Sequence, residues 1–278
     1  MTLSTSHYQT LLALAFEEDV GTGDITSNAI FSRAVAPVTA RIIAKEDGIV
    51  SGIAFAEAAF YYGDPSLRLS SRFTAGERVH ADDVVLTLCG SVASILAAER
   101  VALNGLQYLS GIATLTEVYV SAVSGTDARI YDTRKTVPGW RRLAKEAVRD
   151  GGGVNHRIGL YDQFLIKENH VAACGGIGEA IAACRAYRPG VLLEVEVRDL
   201  AELKAAVAAK PDIILLDNFP LSALAEAVAY VGGRYPLEAS GGVTLATVRD
   251  IAQTGVSRIS VGALTHSPKA LDFSLLID

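Results

Sequence analysis

The chain has 278 residues, half of them apolar, and a formal net charge of -6. That length and apolar share support one large buried core, with a smaller companion domain beside it. The acidic balance argues against general nucleic-acid binding, which needs a broad basic surface to displace counterions from phosphates.

The opening "MTLSTSHYQTLLALAFEED" lacks a basic n-region, and its apolar run at 11 to 16 is too short to span a bilayer, so a cytoplasmic protein without membrane association is expected. Up to about residue 90 the chain reads as short strands and turns around one helix. "TARIIAKEDGIVSG" and "ADDVVLTLCGS" supply strand pieces, and "IAFAEAAFYYG" a helix closed by Gly63. This pattern predicts a small α+β domain. From Ser91, an N-cap residue, "SVASILAAERVALNGLQYLSG" has helical spacing that ends near Gly111 and joins two parts of the chain. Cys89, Cys174 and Cys184 lack metal-ligand spacing and read as buried or half-buried free thiols.

Beyond that helix, apolar strand candidates recur at 128 to 132, 164 to 167, 192 to 197, 212 to 217, 237 to 240 and 258 to 262, mostly with helical patterns between them. Such alternation predicts a parallel sheet with crossover helices. The continuous run Ile213–Leu216 suits a strand buried on both faces. A seventh strand around "GVNHRIGL" would make an open or short β/α barrel, while periodicity alone leaves a doubly wound sheet open.

Polar residues cluster where these strands end: Asp132 with Arg134 and Lys135, Lys167 with Asn169 and His170, Glu194 and Glu196, Asp217 with Asn218, Ser240 with Gly241 and Gly242, and Gly262. In a barrel these ends meet at one mouth, where ligands bind. Seven Lys or Arg lie within residues 131 to 157 of an otherwise acidic chain. Arg134 and Lys135, with His156, Arg157 and Lys167 at neighbouring strand ends, predict an anion pocket. Arg141, Arg142, Lys145 and Arg149 fall on a helix opened by Pro138 and read mainly as a solvated face, although Lys145 could turn inward. Gly151 to Gly153 could end that helix or let backbone amides approach an anion.

Glu194 and Glu196 alternate along one strand and so share a face, the interior of a barrel. They would repel each other, with Asp217 as a third acid, unless cations or hydroxyl donors intervene. A Mg²⁺ held partly by substrate oxygens and water fits that need, and an ion pair with Arg134 or Lys167 is the alternative. "EASGGV" and "SVGALTHS" bring glycine to strand ends before helical stretches, where free N–H groups would cradle phosphate. His266 reads either as a phosphate donor or as a satisfied surface histidine. Without a Ser–His–acid or Cys–His constellation, catalysis by positioning and electrostatics is expected.

The strings "EEDVGTGDIT", "ERVALN", "SGIAT", "DTRKT", "GGGVNHRIGLYD", "LIKENH", "EVEV", "ILLDN", "SGG" and "SVGALTHS" closely resemble the quinolinate phosphoribosyltransferase family, in order from about residue 11 to the end. The resemblance implies that quinolinate and phosphoribosyl pyrophosphate give nicotinate mononucleotide, pyrophosphate and CO₂, with Mg²⁺, in NAD synthesis. It implies a small α+β domain over 1–105, with 271–278 packing back on it, and an open, roughly seven-stranded α/β barrel over 106–270. It also implies a homodimer in which the N-terminal domain of one subunit covers the other's barrel. By motif match Arg134, His156, Arg157 and Lys167 would hold the quinolinate carboxylates, with Arg100 supplied by the partner subunit. Lys135, beside Thr133, would face pyrophosphate and ribose. Glu196 and Asp217 would meet the ribose hydroxyls and the metal, largely through substrate and water, and Ser240, Gly241, Gly242, Gly262 and His266 the 5′-phosphate. The resemblance thus casts Lys135, Lys167, Glu196 and Asp217 as catalytic. Two residues depart from the family pattern: Glu168 stands where Asp is usual, and Trp140 follows "PG" in place of an aliphatic residue. Alternatives are a related barrel group associated with molybdenum transport, which lacks intact "NHR" and "IKxNH" strings, and a non-catalytic barrel that binds phosphorylated metabolites.

Overall fold

The structure is a computed structural model and describes residues 5–32 and 35–278. In chain order its elements are α1 (Thr5–Asp19), α2 (Ile25–Ile30), β1 (Val38–Ala44), β2 (Gly48–Ile49), α3 (Ile53–Gly63), β3 (Arg68–Ser71), β4 (Arg78–Val79), β5 (Val84–Gly90) and α4 (Val92–Ala122). There follow β6 (Arg129–Tyr131), α5 (Arg141–Asp150), β7 (Phe164–Ile166), α6 (Glu168–Cys174), α7 (Ile177–Tyr187), β8 (Leu193–Val197), α8 (Leu200–Ala209) and β9 (Ile213–Asp217). The last are α9 (Leu221–Val231), β10 (Leu237–Ser240), α10 (Val248–Gln253), β11 (Arg258–Ser260), α11 (Ala263–His266) and β12 (Phe273–Ile277). Two compact units divide them: Met1–Leu115 with Arg149–Gly152 and Pro268–Asp278, and Thr116–Val148 with Gly153–Ser267.

The first unit is built on an antiparallel sheet of order β12-β1-β5-β3. Alternate residues of β1, Ala40, Ile42 and Ala44, are fully buried, as a strand with one covered face requires. Asp24 opens α2 by accepting the N–H groups of Thr26 and Ser27, both at 3.0 Å. Ser91 caps α4, but that helix runs 31 residues and passes Gly111 without ending. Its glycines serve close packing: a Cβ on Gly105 would lie 2.2 Å from the Phe55 ring, and one on Gly111 2.2 Å from the Lys269 carbonyl oxygen.

The second unit is a parallel sheet of order β6-β11-β10-β9-β8-β7. The first strand, β6, neighbours the last, β11, while the strands between follow chain order. A doubly wound sheet would reverse its order about a switch point, so the sequence of neighbours is that of a barrel. Its opening lies between β6 and β7. There the expected seventh strand is reduced to one residue, Val154, which bridges Tyr131 and exchanges hydrogen bonds with Ile130 and Asp132 at 2.8 and 3.1 Å. Beyond it Asn155 and His156 bond to side chains instead of a ladder, which ends the pairing. Ile213–Leu216 are buried throughout, as their apolar run predicts. Pro138 sits in the turn before α5 and not inside the helix, which starts at Arg141.

Candidate active site

The carboxyl ends of the parallel strands surround a cavity of about 600 Å³. Thr133, Arg134 and Lys135 enter it after β6, His156 and Arg157 after Val154, Lys167 after β7, Glu196 from β8 and Asp217 from β9. Ser240, Gly241 and Gly242 follow from β10, and Gly262 and His266 from the turn after β11. Of the residues that the resemblance assigns to substrate, Arg100 alone does not line the cavity; it is exposed on α4, in the first unit. A neighbouring cavity of about 500 Å³ shares Arg157 but is walled mainly by groups such as Leu160, Phe164 and Ile166, with Cys174 and Cys184. It lacks the convergent charges of the first. Cys174 is exposed, not buried as expected.

One side of the polar cavity is cationic. Burial, and then the neighbouring Arg134, push the Arg157 guanidinium below its usual range. Arg134 Nε is buried with no hydrogen-bond partner. Lys167 makes an ion pair with Glu196, which realises the alternative weighed for that carboxylate. The string "LIKENH" has a local reason: His170 Nδ1 accepts the backbone N–H of Lys167 at 3.0 Å and holds the start of α6. Glu168, longer by one methylene than the family's usual Asp, is exposed and lies 3.4 Å from Arg198.

Behind the cations lies a buried polar layer. Asp132 is fully buried and accepts Lys145 Nζ at 2.5 Å, the His156 N–H at 2.8 Å and Asn155 Nδ2 at 2.7 Å. Lys145 has turned inward and also donates to the His156 carbonyl at 2.9 Å. Burial raises the Asp132 pKa and lowers that of Lys145, and each is opposed by the charge of the other. Glu194 and Glu238, both fully buried, flank His156 Nε2 at 2.9 and 3.4 Å. Gln163 donates to Glu194 at 2.7 Å, and Arg258 to Glu238 at 2.7 Å. Burial opposes the His156 imidazolium, but hydrogen bonds to the two carboxylates outweigh it and hold the pKa at about 9. The repulsion foreseen between Glu194 and Glu196 is thus met separately, by His156 and by Lys167. Glu238 is one acid in the short string "LEAS", where only its alternation with Ser240, which places both on one face of β10, points to the site.

On the opposite side the backbone dominates. Gly241 and Gly242 have φ of 95° and 61°, and a Cβ on Gly241 would lie 2.2 Å from Asn218 Oδ1. Asn218 itself adopts φ 56°, a conformation Asn tolerates better than most residues, and donates to Asp217 at 2.9 Å. The helix expected directly after Gly242 starts only at Val248, beyond a Thr244–Thr247 turn. Gly262 does lead straight into α11, whose first N–H groups have no helical acceptor. Lys135 is tied to this turn, since its carbonyl accepts Thr265 Oγ1 at 2.7 Å.

Among the described residues, His156, Glu194 and Glu238 form the one group whose ligand atoms lie close enough for a metal, within 4.8 Å of one another. Its hydrogen bonds oppose that use. His156 Nε2 faces both carboxylates, and the raised pKa of the ring keeps on it the proton that a metal would have to displace. Glu196 and Asp217 offer only oxygen, on adjacent strands at the cavity wall. Two such groups suit a hard cation that takes its remaining ligands from substrate and water.

The family profile described as "Quinolinate phosphoribosyl transferase, C-terminal domain" matches residues 112–276, and its N-terminal counterpart matches 24–110. The chain is 43% identical over 266 residues to a probable nicotinate-nucleotide pyrophosphorylase [carboxylating] of Bacillus subtilis, covering 95% of this chain and 91% of that protein. It is 46% identical over 288 residues to a quinolinate phosphoribosyltransferase [decarboxylating] of Nicotiana glauca, covering 96% and 81%. The solved nicotinate-nucleotide pyrophosphorylase of Francisella tularensis superposes with a TM-score of 0.95 at 39% identity, covering 100% of this chain and 98% of that one. With both halves matched and the strand-end constellation gathered at one barrel mouth, this chain belongs to the quinolinate phosphoribosyltransferase family.

Proposed function

We propose that this protein transfers the phosphoribosyl group of phosphoribosyl pyrophosphate to quinolinate and releases CO₂, giving nicotinate mononucleotide and pyrophosphate. The observation that carries the reading is the cation cluster: a buried Arg134 Nε without a partner, beside an Arg157 that burial and Arg134 render less basic. A planar dianion would supply the missing acceptors through charge-assisted hydrogen bonds. Equilibrium titration tests this. Quinolinate, with two carboxylates, should bind about tenfold or more tightly than nicotinate, as expected for one further charge-assisted contact. Equal affinities would remove the dianion reading.

In the proposed reaction Arg134, His156, Arg157 and Lys167 hold the carboxylates and aim the ring nitrogen at the anomeric carbon. Its lone pair forms the new C–N bond as the pyrophosphate oxygen departs with the bonding electrons, and Lys135 faces that departing group. Ser240, Gly241, Gly242, Gly262 and His266 seat the 5′-phosphate. Once ribosylated, the ring nitrogen is cationic. The electron pair left by CO₂ then rests on the adjacent ring carbon until a proton replaces it. Mg²⁺ would be held by Glu196 and Asp217, largely through substrate and water, and would neutralise pyrophosphate charge. Freeing Glu196 for this role requires Lys167 to exchange Glu196 for a substrate carboxylate. Asp217→Asn should therefore abolish most Mg²⁺-dependent turnover while metal-free quinolinate binding, followed by titration, stays close to wild type. Wild-type dependence on Mg²⁺ in that variant would contradict the role of Asp217.

The proposal extends to a homodimer in which Arg100 acts on the partner's barrel, and to a cytoplasmic location, the latter on the sequence reading alone. The exposure of Arg100 on α4 supports a role outside its own fold. Arg100→Ala and Lys135→Ala should each be nearly inactive, yet recover activity when dissociated, mixed and reassociated. One site of each heterodimer would be intact, so random pairing restores roughly a quarter of all sites. No recovery, with heterodimers verified by differential tags, would place Arg100 in its own subunit's service.

A further inference from the structure

We propose that Thr265 is a positioning residue that fixes Lys135 against the Gly262 turn and so sets the spacing between the 5′-phosphate seat and the departing pyrophosphate. This rests on the reading that Lys135 faces pyrophosphate. Thr265 is fully buried and does not line the cavity, so its hydroxyl acts on substrate only through its partners. That hydroxyl donates to the Lys135 carbonyl at 2.7 Å. A helical threonine usually bonds back to a carbonyl of its own preceding turn, but here that contact, to Gly262, is the longer one at 3.5 Å.

The need for such a tie follows from the strand ends. β6 and β11 pair in register up to Tyr131 and Ser260, and the Val261 N–H still reaches the Tyr131 carbonyl at 2.9 Å. Beyond that rung the two chains leave the sheet, one toward Lys135 and the other into α11. The Thr265 hydroxyl joins them again where the ladder has ended. Lys135 is held from its other side as well, since its N–H donates to Thr133 Oγ1 at 3.1 Å. Arg141 braces the neighbours, donating to Thr136 Oγ1 at 3.1 Å and to the Arg134 carbonyl at 3.4 Å. The lysine stem in turn needs the glycine: a Cβ on Gly262 would lie 3.2 Å from Lys135 Cδ and 3.2 Å from His266 Cδ2. The stem therefore runs beside the turn that seats the 5′-phosphate, and one buried hydroxyl keeps both in place. Misplacing a catalytic group by about an ångström is enough to cost on the order of a hundredfold in a positioned reaction.

Thr265→Val, Thr265→Ser, Lys135→Ala and Lys135→Ala/Thr265→Val should be titrated calorimetrically with phosphoribosyl pyrophosphate and, separately, with quinolinate, and their kcat and thermal midpoints measured. Valine keeps the outline of threonine and removes its hydroxyl. Thr265→Val is expected to weaken phosphoribosyl pyrophosphate on the order of tenfold and to lower kcat on the order of tenfold to a hundredfold, with quinolinate affinity unchanged. Thr265→Ser, which retains the hydroxyl, should stay close to wild type in both. In the Lys135→Ala background Thr265→Val should add almost nothing to the loss of phosphoribosyl pyrophosphate affinity. A second measurement needs no variant to fold: in wild-type protein the Thr265 hydroxyl proton should exchange with water slowly enough to be observed by NMR. Wild-type substrate affinities and kcat in Thr265→Val, a Thr265→Ser that loses as much as Thr265→Val, equal losses for both substrates, a full additional loss beside Lys135→Ala, or a rapidly exchanging hydroxyl would each overturn the positioning role alone. Unchanged phosphoribosyl pyrophosphate binding in Lys135→Ala would overturn the reading of Lys135, and the role of Thr265 with it.

Discussion

Arg157→Ala is expected to lower quinolinate affinity by about 2–5 kcal/mol, the usual cost of removing one partner of a buried charge pair. The same substitution should leave phosphoribosyl pyrophosphate affinity nearly unchanged. Arg157 is 9% exposed and lies beside Arg134, whose Nε has no acceptor of its own, so a carboxylate bound there has little water to take the place of a lost guanidinium. Lys167→Ala should act in the same direction but less strongly, because its side chain is 47% exposed and solvent screens its contribution. Titration of each variant with both substrates checks this. Equal losses for the two would contradict the carboxylate assignment.

Lys145→Met is expected to destabilise the fold by about 3–5 kcal/mol at neutral pH, since it strands the buried charge of Asp132. Asp132→Asn/Lys145→Met should recover much of that loss, because a neutral pair needs no counter-charge and Asn keeps an acceptor for the His156 N–H. The pH dependence follows from the direction of the shift. Burial raises the Asp132 pKa in the folded state, and without Lys145 it would rise further. An acid raised on folding takes up protons as the protein folds, which subtracts stability as the pH climbs above its unfolded value. The deficit of Lys145→Met should thus be larger at pH 7.5 than at pH 5 when denaturant midpoints are compared. A variant with wild-type stability at both pH values would show that this pair is no anchor.

What the sequence revealed and what it hid divide along one physical line. Strands were legible where burial is uniform, as at Ile213–Leu216, and so were the polar groups at their ends, because an ordinary core excludes such residues. The barrel mouth followed from them. Partners brought in from elsewhere in the chain were not legible. Lys145 looks like any lysine on a charged helix until Asp132 is placed against it, and Glu238 is one acid in a short apolar strand. Gly111 resembles a helix stop, and only the approach of the Lys269 carbonyl explains why it is glycine and why α4 continues past it. Val154 reads as part of a strand, but the bonds of Asn155 and His156 to the Asp132 side chain end its pairing after one residue.

The most direct measurement is a single incubation with phosphoribosyl pyrophosphate, Mg²⁺ and quinolinate labelled in the carboxyl group next to the ring nitrogen, run beside an identical one with nicotinate. One labelled CO₂ is expected for each nicotinate mononucleotide formed from quinolinate, and no nucleotide from nicotinate. Nucleotide from nicotinate but not from quinolinate, or nucleotide that retains the labelled carboxylate, would contradict it.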